Sequence, residues 1–204
     1  MHDNKSAASL ILALGLGLIL TPVLAGCGPA VLGGAAVGAT VIAQERPVSE
    51  AASDAKIHAS IDKQLLEFDV NIFKRVDITV TEGQVLLTGL VPEPQNRVDA
   101  ARLAWQADGV REVINEIEVT DKSTLSDAAR DSWITTKLRS KITFDKEISG
   151  INYTIDTVNQ KVYLTGIAQS QAELDRIIAY ARGIDYVRGV IPYVRVKGSA
   201  GAGN

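Results

Sequence analysis

Val85-Leu86-Leu87-Thr88-Gly89 and Val162-Tyr163-Leu164-Thr165-Gly166 are one phrase written twice, 77 residues apart. Holding that offset and reading outward, Asp54–Thr120 lies on Asp131–Lys197 with no net gap. Ile57, Ile61 and Leu65 fall on Ile134, Leu138 and Ile142, and Val119 falls on Val196. Asp108-x-Val110-Arg111-x-Val113 falls on Asp185-x-Val187-Arg188-x-Val190. Matches at one constant offset across a whole unit mark an internal repeat, which sets the architecture before any single element is read.

Each copy reads the same way. Ile57/Ile61/Leu65 recur every fourth residue, the spacing of one helical stripe. Val76/Ile78/Val80 and Val85/Leu87/Gly89 alternate around the turn Thr81-Glu82-Gly83-Gln84, which predicts a hairpin with one buried face. Pro92 and Pro94 stop the second strand, and Ala100/Leu103/Ala104/Ala107 have helical spacing. Asp108-Gly109 ends that helix, and Val113/Ile117/Val119 predict a third strand. The second copy gives Ile134/Leu138/Ile142, Tyr153/Ile155, Val162/Leu164, Leu174/Ile177/Ile178/Ala181 and Val190/Val194/Val196. The fold class is therefore α+β. Two tandem α-β-β-α-β domains are expected over 54–120 and 131–197, each a three-stranded mixed sheet covered on one face by two helices. The closing β-α-β connection is expected to be right-handed. Residues 121–130 form a polar linker, and 198–204 a tail beyond the fold.

Composition narrows the function. Aromatic residues make up only 5% of the chain, so the core must rest on Ile, Val, Leu and Ala. The single cysteine, Cys27, excludes an internal disulfide framework and every multi-cysteine metal site. With only His2 and His58, a histidine-based metal or catalytic cluster has almost no material. A formal net charge of −3 does not suit a strongly basic nucleic-acid binder. The carboxylates show no pair that spacing singles out as acid and base, and Asp108 and Asp185 recur at equivalent helix ends. No catalytic residue, cofactor or small-molecule substrate is expected. His58 reads as an ordinary helix residue, and Trp105 as a candidate for packing between the domains.

The first 26 residues read as a lipoprotein signal peptide. Lys5 precedes an apolar run, Leu10–Leu20, of signal-peptide length and short of a comfortable bilayer span. Leu24-Ala25-Gly26-Cys27 resembles a bacterial lipobox, which implies cleavage before Cys27 and its acylation, palmitate included. The competing reading is a buried cysteine after an uncleaved anchor helix. Stable anchoring takes more than one acyl chain, and a mature lipoprotein carries them on one residue. Gly28, where Asp is absent, implies outer-membrane sorting by resemblance to enterobacterial lipoproteins. Residues 27–53 then form the acylated start and a Gly/Ala-rich stretch, read as a flexible tether, a membrane-hugging segment or a short helix.

The Val-x-Leu-x-Gly strand and later Val-x-x-Val in each α-β-β-α-β copy resemble BON domains. Together with the lipobox and the tether they resemble the dual BON-domain outer-membrane lipoproteins. The most specific stretch is Asp131-Ser132-Trp133-Ile134-Thr135-Thr136-Lys137-Leu138-Arg139-Ser140. The resemblance covers nearly the whole mature chain. It implies a non-enzymatic envelope protein, lipid-anchored in the outer membrane and facing the periplasm. Such a protein binds anionic phospholipid through its second BON domain and supports outer-membrane integrity.

Charge separates the copies. Residues 54–120 hold 7 Lys/Arg and 12 Asp/Glu, a net −5, whereas 131–197 hold 10 and 7, a net +3. Lys137, Arg139 and Lys141 crowd the first helix of copy two, and Trp133 stands where copy one has Lys56. Glu116 and Glu118, expected to point away from the third strand's buried face, have Tyr193 and Arg195 as counterparts. From the residues alone two readings stand: a helix at a lipid interface, or a solvated basic face with Trp133 packed on the neighbouring copy. The resemblance favours the first, with Trp133, Lys137, Arg139 and Lys141 as phospholipid-binding residues. The alternative function is a protein-interaction scaffold at the inner face of the outer membrane, docking envelope proteins through the acidic first copy.

Overall fold

The computed structural model describes residues 48–120 and 125–198. Unit one runs α1 (Val48–Phe68), a short α2 (Val70–Phe73), β1 (Val76–Thr81), β2 (Gln84–Val91), α3 (Pro94–Ala104), β3 (Glu112–Asn115) and β4 (Glu118–Val119). Unit two runs α4 (Leu125–Phe144), a 3-10 turn (Gly150–Asn152), β5 (Tyr153–Val158), β6 (Lys161–Ala168), α5 (Gln171–Arg182) and β7 (Gly189–Val196). In both, the hairpin is antiparallel and the strand after the crossover helix runs parallel to the central strand, so the sheets are mixed. The two tandem α+β units expected from the repeat are present.

The helical stripes are the core. Ile57, Ile61 and Leu65 on α1 and Ile134, Leu138 and Ile142 on α4 are all buried. They pack on Val85 and Leu87 in unit one and on Val162 and Leu164 in unit two. Ile57 and Ile134 thus occupy equivalent sites, as do Leu87 and Leu164. Both stripe helices start well before their first stripe residue, one at Val48 inside the stretch expected as tether and the other at Leu125 inside the expected linker. A buried aspartate on α1 explains one more matched position. Asp54 accepts from the backbone N–H groups of Glu82 (2.8 Å) and Gly83 (2.9 Å), fastening the hairpin turn to the helix. Asp131 does the same for Asn159 (2.8 Å) and Gln160 (2.7 Å).

The glycine of each Val-x-Leu-x-Gly strand is a steric requirement. Gly89 and Gly166 sit at φ +129° and +127°, and a Cβ there would lie 2.0 Å from the carbonyl oxygen of Arg75 or Asn152.

The third strand of unit one differs from expectation. It breaks into β3 and β4, and both pieces pair with β2. At the break the Asn115 side-chain oxygen accepts from the Ile117 N–H (3.2 Å) while its amide donates to the Arg97 carbonyl (2.9 Å). Side-chain bonds of this local kind compete with a ladder. In unit two the matching residue is Pro192 and β7 is unbroken. Val119, expected on a buried face, is 41% exposed.

The units pack sheet against sheet, on the faces opposite their helices. Leu86 and Tyr163, almost fully buried, meet Val158 at the centre, with Leu90, Ile114, Ile191 and Tyr193 around them. Residues matched by the repeat touch each other there. Thr79 Oγ1 donates to Asp156 Oδ2 (2.8 Å), and Tyr193 Oη donates to Glu116 Oε1 (2.5 Å), both pairs 77 residues apart. Off the centre the contacts come in matched pairs. Arg195 binds Glu82 through two bonds of 2.8 and 2.6 Å, and at the related place Asn159 donates to Glu118 (2.8 Å). This is a pseudo-two-fold interface, in which positions on the axis meet their own counterparts.

Candidate functional site

Spacing along α4 decides which side chains share a face. Trp133, Lys137 and Lys141 follow at intervals of four residues, and Phe144 three residues later, so they form one line down the helix. That line runs about a quarter-turn from Ile134, Leu138 and Ile142, which are buried. Trp133 is 41% and Phe144 83% exposed, and Lys137 and Lys141 are exposed between them. Arg130, three residues before Trp133, extends the line toward the helix start.

The cations on this face are seated on rings. Lys137 Nζ lies 5.8 Å from the Trp133 ring centre and Lys141 Nζ 5.2 Å from that of Tyr180 on α5. Arg130 lies 5.6 Å from the Tyr186 ring, and Tyr186 meets Trp133 edge to face at 6.0 Å. Such contacts position a cation without neutralising it. Tyr180 donates to Asp145 (2.7 Å), and this bond first, then the Glu147 backbone N–H and the charge of Arg176, hold the Asp145 carboxyl below its usual range.

The four residues expected to meet lipid span more than one face of α4, and Trp133, Lys137 and Lys141 share one of them. Arg139 is on another side of α4, lining a separate hollow with Ile142, Thr143, Ile148, Gly150 and Tyr153. Its charge acts instead on Asp156 at the interface between the units. Cys27 lies outside the described residues. The sequence reading missed Arg130, Phe144, Tyr180 and Tyr186. Phe144 and Arg130 were findable, because extending the line of Trp133 and Lys137 by one turn each way reaches them.

Trp133 is 41% exposed and its ring partner Tyr186 belongs to its own unit, whereas the apolar contact between the units is built from residues of the sheets. Trp105 does not pack between the units. It is 54% exposed at the end of α3, near Arg102, whose guanidinium lies 5.3 Å from the Phe68 ring. His58 pairs with Asp62 one turn along α1 (3.0 Å). Among the described residues no group of three or more His, Cys, Asp or Glu is placed to hold a metal. No helix of the described residues is long and apolar enough to cross a membrane.

Much of the charge difference between the units is spent on their contact. Glu82, Glu116 and Glu118 of unit one face Arg195, Tyr193 and Lys161 of unit two, with Lys161 Nζ 2.8 Å from Glu118. Burial opposes ionisation of Glu118, but hydrogen bonds from Lys161 and Asn159 and the charges of Lys161 and Arg188 outweigh it, and its pKa falls. Burial, then the bond to Glu116, pushes the Tyr193 phenol up to about 12.

The BON domain model matches residues 53–121 and again 130–198. The chain belongs to the BON family. The outer membrane lipoprotein DolP of Haemophilus influenzae is 34% identical over 159 residues, covering 76% of this chain and 82% of DolP. An uncharacterised protein in the gshII 5′ region of Anaplasma centrale is 44% identical over 147 residues, 72% of this chain and 96% of that one. The 21 kDa hemolysin of Actinobacillus pleuropneumoniae is 34% identical over 123 residues, 59% of this chain and 63% of the hemolysin. The two spans of the family match cover both units and most of the helices α1 and α4, whose outer faces differ.

Proposed function

We propose that this chain is a non-enzymatic envelope lipoprotein, anchored in the outer membrane through acylated Cys27, whose second BON unit binds anionic phospholipid and so supports outer-membrane integrity. The observation that carries the lipid reading is the outer face of α4, with exposed aromatic rings at Trp133 and Phe144 and the cations Lys137 and Lys141 between them. Indole rings favour the headgroup boundary, and each Lys or Arg near an anionic surface contributes on the order of 1 kcal/mol. Similarity to an outer membrane lipoprotein supports the anchor and its location. Residues 1–26 act as the signal peptide and the stretch from Cys27 up to the start of α1 at Val48 as the tether, with the BON units facing the periplasm.

The test of the lipid reading uses the acylated chain with Trp105→Phe, reconstituted into vesicles of phosphatidylcholine with or without phosphatidylglycerol. Trp133 emission shifts to the blue only when phosphatidylglycerol is present, and the shift fades as salt rises because screening shortens to about 8 Å near physiological ionic strength. Equal emission in both vesicles refutes the reading. Intact mass of envelope-extracted protein tests the anchor. A mature chain starting at Cys27 with added acyl mass is expected, and any other start refutes it.

A second reading has its own observation. Val98 and Arg102 on α3 and Trp105 just past its end form an outward line, with Val98 57% and Trp105 54% exposed, in a unit of net charge −5. This patch suits a protein partner better than an anionic membrane. Cross-linking from position 98 in intact envelopes tests it, and loss of the cross-linked product on Trp105→Ala is expected.

A further inference from the structure

Tyr186 sits in a backbone conformation that a bulky residue rarely adopts. Its φ is +70°, in the turn between α5 and β7. The matched residue of unit one is Gly109, at φ +93°, where no side chain meets the cost of that conformation. The tyrosine does not repay the strain by filling a core, since it is 60% exposed. Strain held at an exposed ring is a feature of sites that do work outside the fold. The ring stands edge to face against Trp133 at 6.0 Å, with Arg130 over it at 5.6 Å. Between Tyr186 and the first half of α4 is an open groove of about 530 Å³, lined by Ser126, Ala129, Arg130, Trp133, Asp185 and Tyr186.

We infer that Tyr186 is a second membrane-contacting anchor, and that it forms with Trp133 a two-ring groove for one phospholipid of an anionic bilayer. The inference rests on the lipid reading of α4 given above. The two rings supply apolar surface at the boundary between headgroups and acyl chains, where aromatic rings partition. Arg130 and Lys137, each seated on one of the two rings, supply positive charge for the phosphate. Asp185 lines the same groove, and Asp127 pairs with Arg130 at 3.1 Å, so the site is not a simple cationic pocket for a free anion. An amphiphile, apolar against the rings and anionic at one end, suits this lining where inorganic phosphate does not. Unit one has neither ring, with Lys56 and Gly109 at the matched positions.

The experiment uses the acylated chain with Trp105→Phe in vesicles containing phosphatidylglycerol brominated on its acyl chains, and reads quenching of Trp133. Tyr186→Gly is expected to weaken quenching roughly two- to tenfold, the equilibrium equivalent of losing one aromatic pair. Its thermal midpoint is expected to match or exceed the parent's, because glycine relieves the strained backbone. Tyr186→Phe is expected to retain quenching. Parental quenching in Tyr186→Gly, alongside reduced quenching in Lys137→Glu, overturns the role of Tyr186 and leaves the lipid reading standing. A fall in thermal midpoint that accompanies the lost quenching, or an equal loss in Tyr186→Phe, also overturns it. No quenching in the parent overturns both together.

Discussion

Along the line where α4 presents Arg130, Trp133, Lys137, Lys141 and Phe144, α1 presents Ser53, Lys56, Ser60, Gln64 and Glu67. About a quarter-turn round, these helices hold Ile134, Leu138 and Ile142 against Ile57, Ile61 and Leu65, buried alike. One helix face is held to a common chemistry by the core and the other has diverged completely. The aromatic and cationic residues of α4 are therefore not a by-product of building the fold, because the same fold is built without them 77 residues upstream. The sheet faces teach a related lesson. There the units differ in charge because they touch, so Arg195 and Lys161 belong to the account of the interface and not to that of the membrane.

The largest expected effect tests the shared half of that comparison. Leu87→Ala and Leu164→Ala each remove a fully buried side chain and are expected to cost about 2–5 kcal/mol, with the loss centred on the mutated unit. Hydrogen exchange resolved by unit, read beside denaturant unfolding, checks this. Identical loss of protection in both units would show that they fold as one block.

Next is the divergent half. Lys137→Glu with Lys141→Glu reverses two exposed cations and is expected to weaken association with phosphatidylglycerol vesicles by at least about 2 kcal/mol at low salt. Lys56→Glu on α1 is expected to change it little. Trp133 emission titrated with vesicles measures both.

A smaller effect concerns pH at the interface. Burial raises the pKa of Asp156, with Asp77 adding to the shift and the Thr79 bond and Arg139 opposing it. A carboxyl raised in the fold binds its proton more tightly there than in the unfolded chain. It therefore favours folding fully below the unfolded pKa, and that contribution is lost as pH rises through the folded value. Asp156→Asn keeps an acceptor for Thr79 and removes the ionisation. The variant is expected to outlast the parent in urea at neutral pH, with the gap closing in acid. An advantage that persists below the ordinary carboxylate range would contradict this.

The smallest effect is at the rim. Arg195→Ala breaks the pair with Glu82, half-exposed on the arginine side, and is expected to cost no more than about 1 kcal/mol. High salt is expected to shrink the difference further, as measured by unfolding in urea with and without added sodium chloride.

Most of the fold was legible because its signals are local. Four-residue stripes and two-residue alternation need only the chain's own periodicity, and the constant offset confirmed one copy by the other. The break in the third strand was hidden, since Asn115 breaks the ladder through side-chain bonds to Ile117 and Arg97 that spacing does not reveal. The contact between the units left a trace that could have been read. Val85-Leu86-Leu87 and Val162-Tyr163-Leu164 are apolar on both faces, the mark of strands covered on both sides. The candidate site was half legible. Periodicity alone groups Trp133 with Lys137 and Lys141 and separates Arg139, but Tyr186 and Tyr180 reach that face from other elements, and only the fold brings them there.

The pseudo-two-fold axis makes this chain a heterodimer whose halves cannot separate. A unit alone would expose Leu86 or Tyr163 and could pair with its own kind through the same face. Symmetry then places every on-axis residue opposite itself. Two copies of unit one would set Glu116 against Glu116, and two of unit two Asp156 against Asp156, where the tandem chain sets Glu116 against Tyr193 and Thr79 against Asp156. Like charges facing each other disfavour the self-pairings, and the linker keeps the correct partner at high effective concentration. Covalent linkage has thereby released the two outer helix faces from having to match, leaving one half free to specialise while the other serves as its permanent partner.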